Sequence, residues 1–203
     1  MIVGRLSGST KEQITTQVQR ILSYEKQENA GSSSSKFVLV ASDNGPGDNG
    51  EFDYQHMQRI RDSLLSFTYT GGDELYDGSQ GGADADGNPT PTMLLESMNA
   101  GKGLLMYSGH SDIHMFFTTG FGKNEVPLLT NNNQYPYAVV AGCNIGTLGQ
   151  DTNLAEMLMR SKNQDGPTGT VGMLASTIEQ AWNPPMAGQD KFLSLLMNEN
   201  QIY

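Results

Sequence analysis

"YPYAVVAGCNIG", residues 135–146, is apolar up to Ala141 and then breaks into small and polar residues around the only cysteine of the chain. "GLLMYSGHSDIH", residues 103–114, has the same build, with Gly109 and His110 after the apolar run. Short continuous apolar runs bounded by turn residues read as strands buried on both faces, as in parallel sheets. Outward from this pair, strand and helix signals alternate. "KFVLVAS" (36–42), "DELY" (73–76) and "GTVGMLAST" (169–177) predict further strands, and "IVGRL" (2–6) a short leading one. "STKEQITTQVQRILSYEK" (9–26) places Ile14, Val18, Ile21 and Leu22 at helical spacing behind a capping box of Ser9 and Glu12. "YQHMQRIRDSLLSF" (54–67) lines up Met57, Ile60 and Leu64, and Thr90-Pro91 opens another helix. "NLAEMLMRSK" (153–162) and residues 185–198 complete the helices.

This alternation implies an α/β fold with a mostly parallel central sheet and helices on both faces. The 203 residues make one domain, 1–203. In such sheets ligands bind beyond the carboxyl ends of the strands. That rule collects the acidic loop 43–53, His110, Cys143 and "STIEQAWNPPM" (176–186) at one edge.

Composition narrows the classes. Hydrophobic residues make up 36%, charged residues 17%, and there are 24 glycines, as in a globular, loop-rich chain. No apolar run approaches the roughly 20 residues that span a bilayer, and "MIVGRLSG" does not read as a signal peptide. A net charge of −10 argues against nucleic acid and favours cationic ligands. One cysteine excludes an internal disulfide.

A cysteine nucleophile needs a base to draw out its thiolate, and the base needs an orienting group. Cys143 and His110, at the ends of separate strands, have the required chemistry, although a lone cysteine also serves as packing. His56 reads as a structural helix residue and His114 as a loop residue or supporting partner. "DNGPGDNGEFD" (43–53), with carboxylates at 43, 48, 51 and 53, and "DADGN" (84–88) could each wrap calcium. Neither fits the full calcium-loop pattern, so solvated turns stand beside that reading. A metal-dependent hydrolase on 43–53 is a further reading, disfavoured by having His110 as its lone metal-capable histidine.

The chain resembles the gingipain family of cysteine peptidases, within the group that includes caspases and legumains. There, a hydrophobic strand ends in His-Gly and a later one in a small residue followed by Cys. The resemblance is carried by "VGRLSG", "GPGDNGEFDYQH", "YSGH", "LLTNNNQYPYAVVAGC" and "GPTGTVGMLASTIEQAWNPPMAGQD". It implies a caspase-like three-layer sandwich and thiol-dependent endopeptidase cleavage after a basic residue, arginine favoured, through an acyl-enzyme. It also implies Cys143 as nucleophile, His110 as base and Glu51 as the carboxylate orienting it. The backbone N–H groups of Ser111 and Cys143 would form the oxyanion hole. Asp62 would floor the S1 pocket between walls of Trp182 and Met186. The competing reading of Asp62 is a solvated charge beside Arg59 and Arg61.

No cofactor is implied for catalysis; calcium is an expected structural ion, its ligands unassigned. Protein or peptide substrates with a basic P1, and a secreted or cell-surface location, follow from the same resemblance. Three departures stand out: Ser111 replaces the Gly after His, Gly142 replaces the usual Ala before Cys, and "DIHMFF" (112–117) diverges. Family members carry a preceding subdomain and further C-terminal elements, so the chain reads as the catalytic subdomain alone. The alternative is a catalytically weak or inactive domain of this kind that binds peptides or calcium.

Overall fold

The apolar run 36–41 becomes a strand with no polar face because both of its sides are covered. The computed structural model describes residues 4–26, 31–149 and 153–197. Its strands are β1 (Lys36–Ala41), β2 (Gly71–Tyr76), β3 (Leu104–Ser108), β4 (Tyr137–Ala141), the two-residue β5 (Lys162–Asn163) and β6 (Gly166–Pro167), and β7 (Gly172–Leu174). The helices are α1 (Lys11–Glu25), α2 (Asp53–Phe67), α3 (Pro91–Asn99), α4 (Leu154–Arg160) and α5 (Asn183–Met197). Five strands form one sheet in the order β2-β1-β3-β4-β7, every pairing parallel, while β5 and β6 make a small antiparallel ribbon.

Alternate residues of β1 enter opposite cores. Phe37, Leu39 and Ala41 meet Met57, Ile60 and Leu64 of α2 and Leu193 of α5. Val38 and Val40 meet Leu94 and Met98 of α3 and Leu154 and Leu158 of α4. The fold is therefore a caspase-like three-layer sandwich, helices on both faces of a parallel sheet. No helix among the described residues is long and apolar enough to cross a membrane.

Several boundaries move from their sequence-predicted places. The leading strand at 2–6 does not form over residues 4–6, and residues 2 and 3 lie outside the described residues. The capping interaction of α1 shifts by one residue: Thr10 accepts the Gln13 N–H at 3.2 Å, and the Gln13 side chain accepts the Ser9 N–H at 2.7 Å. Glu12 is instead paired with Lys162 across the surface. The strand at 169–177 contracts to Gly172–Leu174, the only part paired with β4.

Helix α1 also turns an unexpected face inward. Val18 and Leu22 are exposed, whereas Thr16, Gln17 and Arg20 are buried. Arg20 donates to the carbonyls of Met159 and Ser161 at the end of α4, and its guanidinium lies 5.7 Å from the Tyr135 ring centroid. A cation at a helix C-terminus satisfies carbonyls left free there. Burial lowers the Arg20 pKa to about 10.

Helix α2 shows which face carries the stability. Ile60 is fully buried against the sheet and Leu65 is 46% exposed. Urea unfolding of Ile60→Ala is expected to show a loss of about 2–5 kcal/mol, and Leu65→Ala a change within about 0.5 kcal/mol.

Candidate active site

The site follows from strand register. Ser108 and Ala141 pair at the ends of β3 and β4, and His110 and Cys143 each lie two residues beyond those ends. Both residues line one cleft with about 400 Å³ of empty volume, together with Asp53, Gln180, Trp182 and Met186. The cleft opens where the chain, having passed outward from β1 to β2, returns to β3 on the other side. Such a switch in strand order leaves a crevice at the carboxyl edge of the sheet.

Asp53 lies in that crevice, 1% exposed. Its Oδ1 accepts from Ser108 Oγ at 2.9 Å and Trp182 Nε1 at 3.1 Å, and its Oδ2 from Ser42 Oγ at 2.5 Å. All three donors are neutral. Burial, the largest influence on this group, holds its pKa above the usual carboxylate value. Trp182 also presents a ring to His110, with centroids 5.0 Å apart and planes at 83°. The loop 43–53 closes over this cluster because Gly47 has no side chain. A Cβ there would lie 2.2 Å from Met186 Sδ and 2.5 Å from Trp182 Cδ1.

The Cys143 thiol sulfur accepts the Gln180 N–H at 3.4 Å. Asn144 takes φ of 61°, a left-handed conformation that Asn tolerates better than most residues, and its N–H bonds the Ile178 carbonyl at 3.0 Å. The turn after β4 is thereby fastened to the segment carrying Gln180. Opposite it, Ser111 forms an antiparallel bridge with Phe116. The bonds of that bridge belong to the neighbours, Phe117 N–H to His110 O and Asp112 N–H to Met115 O. In this kind of pair the central N–H is left free. The N–H groups of Ser111 and Cys143 have no acceptor among the described residues.

The structure brings together Cys143, His110, Ser111, Trp182 and Met186, but not the two sequence-predicted carboxylates. Glu51 does not line the cleft; Arg59 donates to both its oxygens, at 2.7 and 2.9 Å. Its histidine neighbour is the buried His56, whose Nδ1 lies 3.3 Å from Glu51 Oε2 and whose Nε2 lies 3.1 Å from Gln189 Oε1. No carboxylate among the described residues bonds the His110 ring. Asp62 is also outside the cleft, on the solvent side of α2, where its 68%-exposed side chain accepts from Arg61 Nε at 2.9 Å. The helix turns Met57, Ile60 and Leu64 to the sheet, and Asp62 falls off that stripe. His114 lies outside the cleft as well.

Sequence reasoning passed over Asp53 as a cleft residue, treating it as a calcium-loop carboxylate. The available signal was its place at the start of a helix, directly after a loop at the carboxyl edge of the sheet. Among the described residues no group of three His, Cys, Asp or Glu side chains is arranged to hold a metal ion. In the loop at 77–89, Asp84 accepts the N–H groups of Tyr76 and Gln80, each at 2.9 Å.

Fold and site define a class: a three-layer α/β sandwich with a thiol–imidazole pair at the carboxyl edge of its sheet. The chain belongs to Peptidase family C25, whose sequence pattern matches residues 1–202. It is 33% identical over 204 residues to gingipain R2 of Porphyromonas gingivalis, covering 98% of this chain and 26% of that protein. Gingipain R1 of the same organism is likewise 33% identical, with 98% of this chain and 20% of that protein covered. The chain thus spans about a quarter or less of the curated relatives it matches. The crystal structure described as the Arg specific cysteine proteinase gingipain R superposes with a TM-score of 0.86 at 34% identity, over 97% of this chain and 44% of that one. The complex of the pro- and mature domains of Porphyromonas gingivalis RgpB gives 0.87 at 34% identity, over 98% and 46%.

The Glu51–Arg59 pair has a checkable pH signature. Arg59 is the largest influence holding the Glu51 pKa below its ordinary value of 4.5. A carboxylate whose folded pKa is depressed contributes stability above its unfolded pKa and loses it as pH falls through the folded one. Glu51→Gln is therefore expected to unfold at a lower temperature than the unmodified chain at pH 7. Melting curves should show that gap closing as the pH falls below 4.5.

Proposed function

We propose that this chain is the catalytic portion of a cysteine endopeptidase that cleaves after a basic residue, with arginine preferred to lysine. The observation that carries this reading is the placement of His110 and Cys143 side by side above adjacent strands, in a cleft that also contains a buried carboxylate. His110 accepts the thiol proton, and the Cys143 thiolate attacks the scissile carbonyl. The Gln180 N–H is directed at the sulfur. The free N–H groups of Ser111 and Cys143 receive the developing oxyanion. His110 then protonates the leaving amine, and water releases the acyl group by the reverse sequence.

The basic P1 side chain is assigned to Asp53 rather than Asp62. An ionised carboxylate has about four acceptor positions, and three neutral donors leave room on Asp53 for a charged one. A guanidinium there supplies the cation that the site lacks, and the Trp182 indole adds an aromatic surface beside it. Glu51 supports the cleft indirectly, through Arg59, which also donates to Asp190 of α5 at 2.9 Å. The related gingipain R is described as Arg specific, which supports the preference for arginine but not the choice of carboxylate.

Two experiments test the reading. A peptidyl chloromethyl ketone with P1 arginine should alkylate Cys143, located by peptide mass spectrometry, and Cys143→Ala should abolish peptidase activity. Replacing His110 with alanine should lower the rate by a factor on the order of 10² to 10⁴. Undiminished turnover by Cys143→Ala would falsify the thiol mechanism.

The second experiment compares Asp53→Asn with Asp62→Asn on P1 arginine and P1 alanine peptides. Asp53→Asn should lower kcat/KM for arginine by roughly 1.5–3 kcal/mol of transition-state binding, with a much smaller effect on alanine. Asp62→Asn should leave both within about twofold of the unmodified chain. The opposite pattern would return the S1 assignment to Asp62.

A further inference from the structure

Ser111 and Gly142 share one volume. A Cβ on Gly142 would lie 2.5 Å from Ser111 Oγ and 3.3 Å from Tyr107 Cε1. The hydroxyl in its way is not a loose surface group. Ser111 is 7% exposed, and its Oγ donates to the Cys143 carbonyl at 2.8 Å. A side chain at 142 and this hydroxyl in this position therefore exclude each other.

The same hydroxyl spans a break in the backbone ladder. β3 and β4 pair through Ser108 and Ala141, and Gly109 N–H adds one more bond, to Ala141 O at 3.1 Å. Beyond that, no backbone hydrogen bond among the described residues joins residues 110–112 to 142–144. The Ser111 side chain is what crosses there, from the loop that carries His110 to the carbonyl of Cys143. Its two ends belong to Ser111 and Cys143, the residues whose N–H groups have no acceptor among the described residues. We propose that Ser111 is a positioning residue, whose hydroxyl fixes the spacing of the Ser111 and Cys143 N–H groups, and that Gly142 lacks a side chain to admit it. The proposal rests on the reading of Cys143 as nucleophile. Oxyanion donors work only within a narrow distance of the developing charge, so a strut between the two donors acts on kcat rather than on substrate affinity.

The test is a double-mutant cycle with Ser111→Gly, Gly142→Ala and both together, plus Ser111→Ala, in which only the hydroxyl is lost. Each protein is first checked by thermal unfolding. The unmodified chain is checked for labelling at Cys143 by an arginyl chloromethyl ketone. Ser111→Ala and Ser111→Gly should lower kcat by about 5- to 10-fold with KM within about twofold, the scale of one hydrogen bond. Alkylation of Cys143 by iodoacetamide, which forms no oxyanion, should stay within about twofold. Gly142→Ala should lose more, and adding Ser111→Gly to it should restore kcat by about tenfold. If Gly142→Ala does not fold, recovery of folding in the double variant stands in for that restoration, and an unfolded double variant overturns the proposal. Losses that simply multiply, or an unchanged kcat in Ser111→Ala, overturn it too while leaving a labelled Cys143 as nucleophile. An unlabelled Cys143 in the unmodified chain brings down the nucleophile reading, and the positioning role with it.

Discussion

Four strands of this sheet end level, Tyr76 of β2 pairing with Ala41, and the site depends on three of them. Ala41 of β1, Ser108 of β3 and Ala141 of β4 lie in one registered row across the sheet. Ser42 is one residue above the row; His110 and Cys143 are two residues above it. Parallel pairing fixes this row through evenly spaced backbone bonds, and burial of both faces prevents a slip, because a one-residue shift would exchange the two cores. A shift of β4 against β3 would separate the thiol from the imidazole. The geometry of the cleft and the packing of the cores are thus set by the same register.

Above that row the electrostatics divide the carboxylates into two groups. Several outside the cleft are paired with arginine: Glu51 and Asp190 with Arg59, Glu74 with Arg61, Glu156 with Arg160 and Arg5. Asp53 accepts only neutral donors, and nearby Asp77 is raised to about 6, first by burial and then by Asp43 and Asp53. These scaffold carboxylates are compensated locally, whereas Asp53 at the sheet edge has no cationic donor. Such an edge favours a cation, which is the demand the proposed basic substrate side chain would meet.

The scaffold group has its own work. His56, Glu51, Arg59, Gln189 and Asp190 join α2 to α5, and the Gln189 side chain continues to the Tyr107 carbonyl at 2.8 Å. Asp53 of α2 and Pro185 and Met186 of α5 are the cleft residues carried by those two helices. Holding α5 against α2 fixes the width of the cleft between them. Glu51 belongs to this frame and not to the lining of the cleft.

The sequence by itself determined the parallel α/β plan and the approach of His110 to Cys143. Both rest on local patterns: continuous apolar runs for doubly buried strands, and abrupt polar endings that mark their carboxyl edge. It also determined the stripe of α2, since Met57, Ile60 and Leu64 recur at helical spacing. Tertiary structure alone decided which carboxylate enters the cleft and which side of α1 is buried. Asp53, Asp62 and Glu51 are near neighbours in sequence and similar in chemistry. What separates them is the set of donors that folding brings to each: Ser42, Ser108 and the distant Trp182 for Asp53, Arg59 for Glu51, Arg61 and solvent for Asp62. Arg20 is buried for the same kind of reason, because the end of α4 offers it carbonyl oxygens. Periodicity registers where apolar surface must be hidden; the place of a charge depends on partners from elsewhere in the chain.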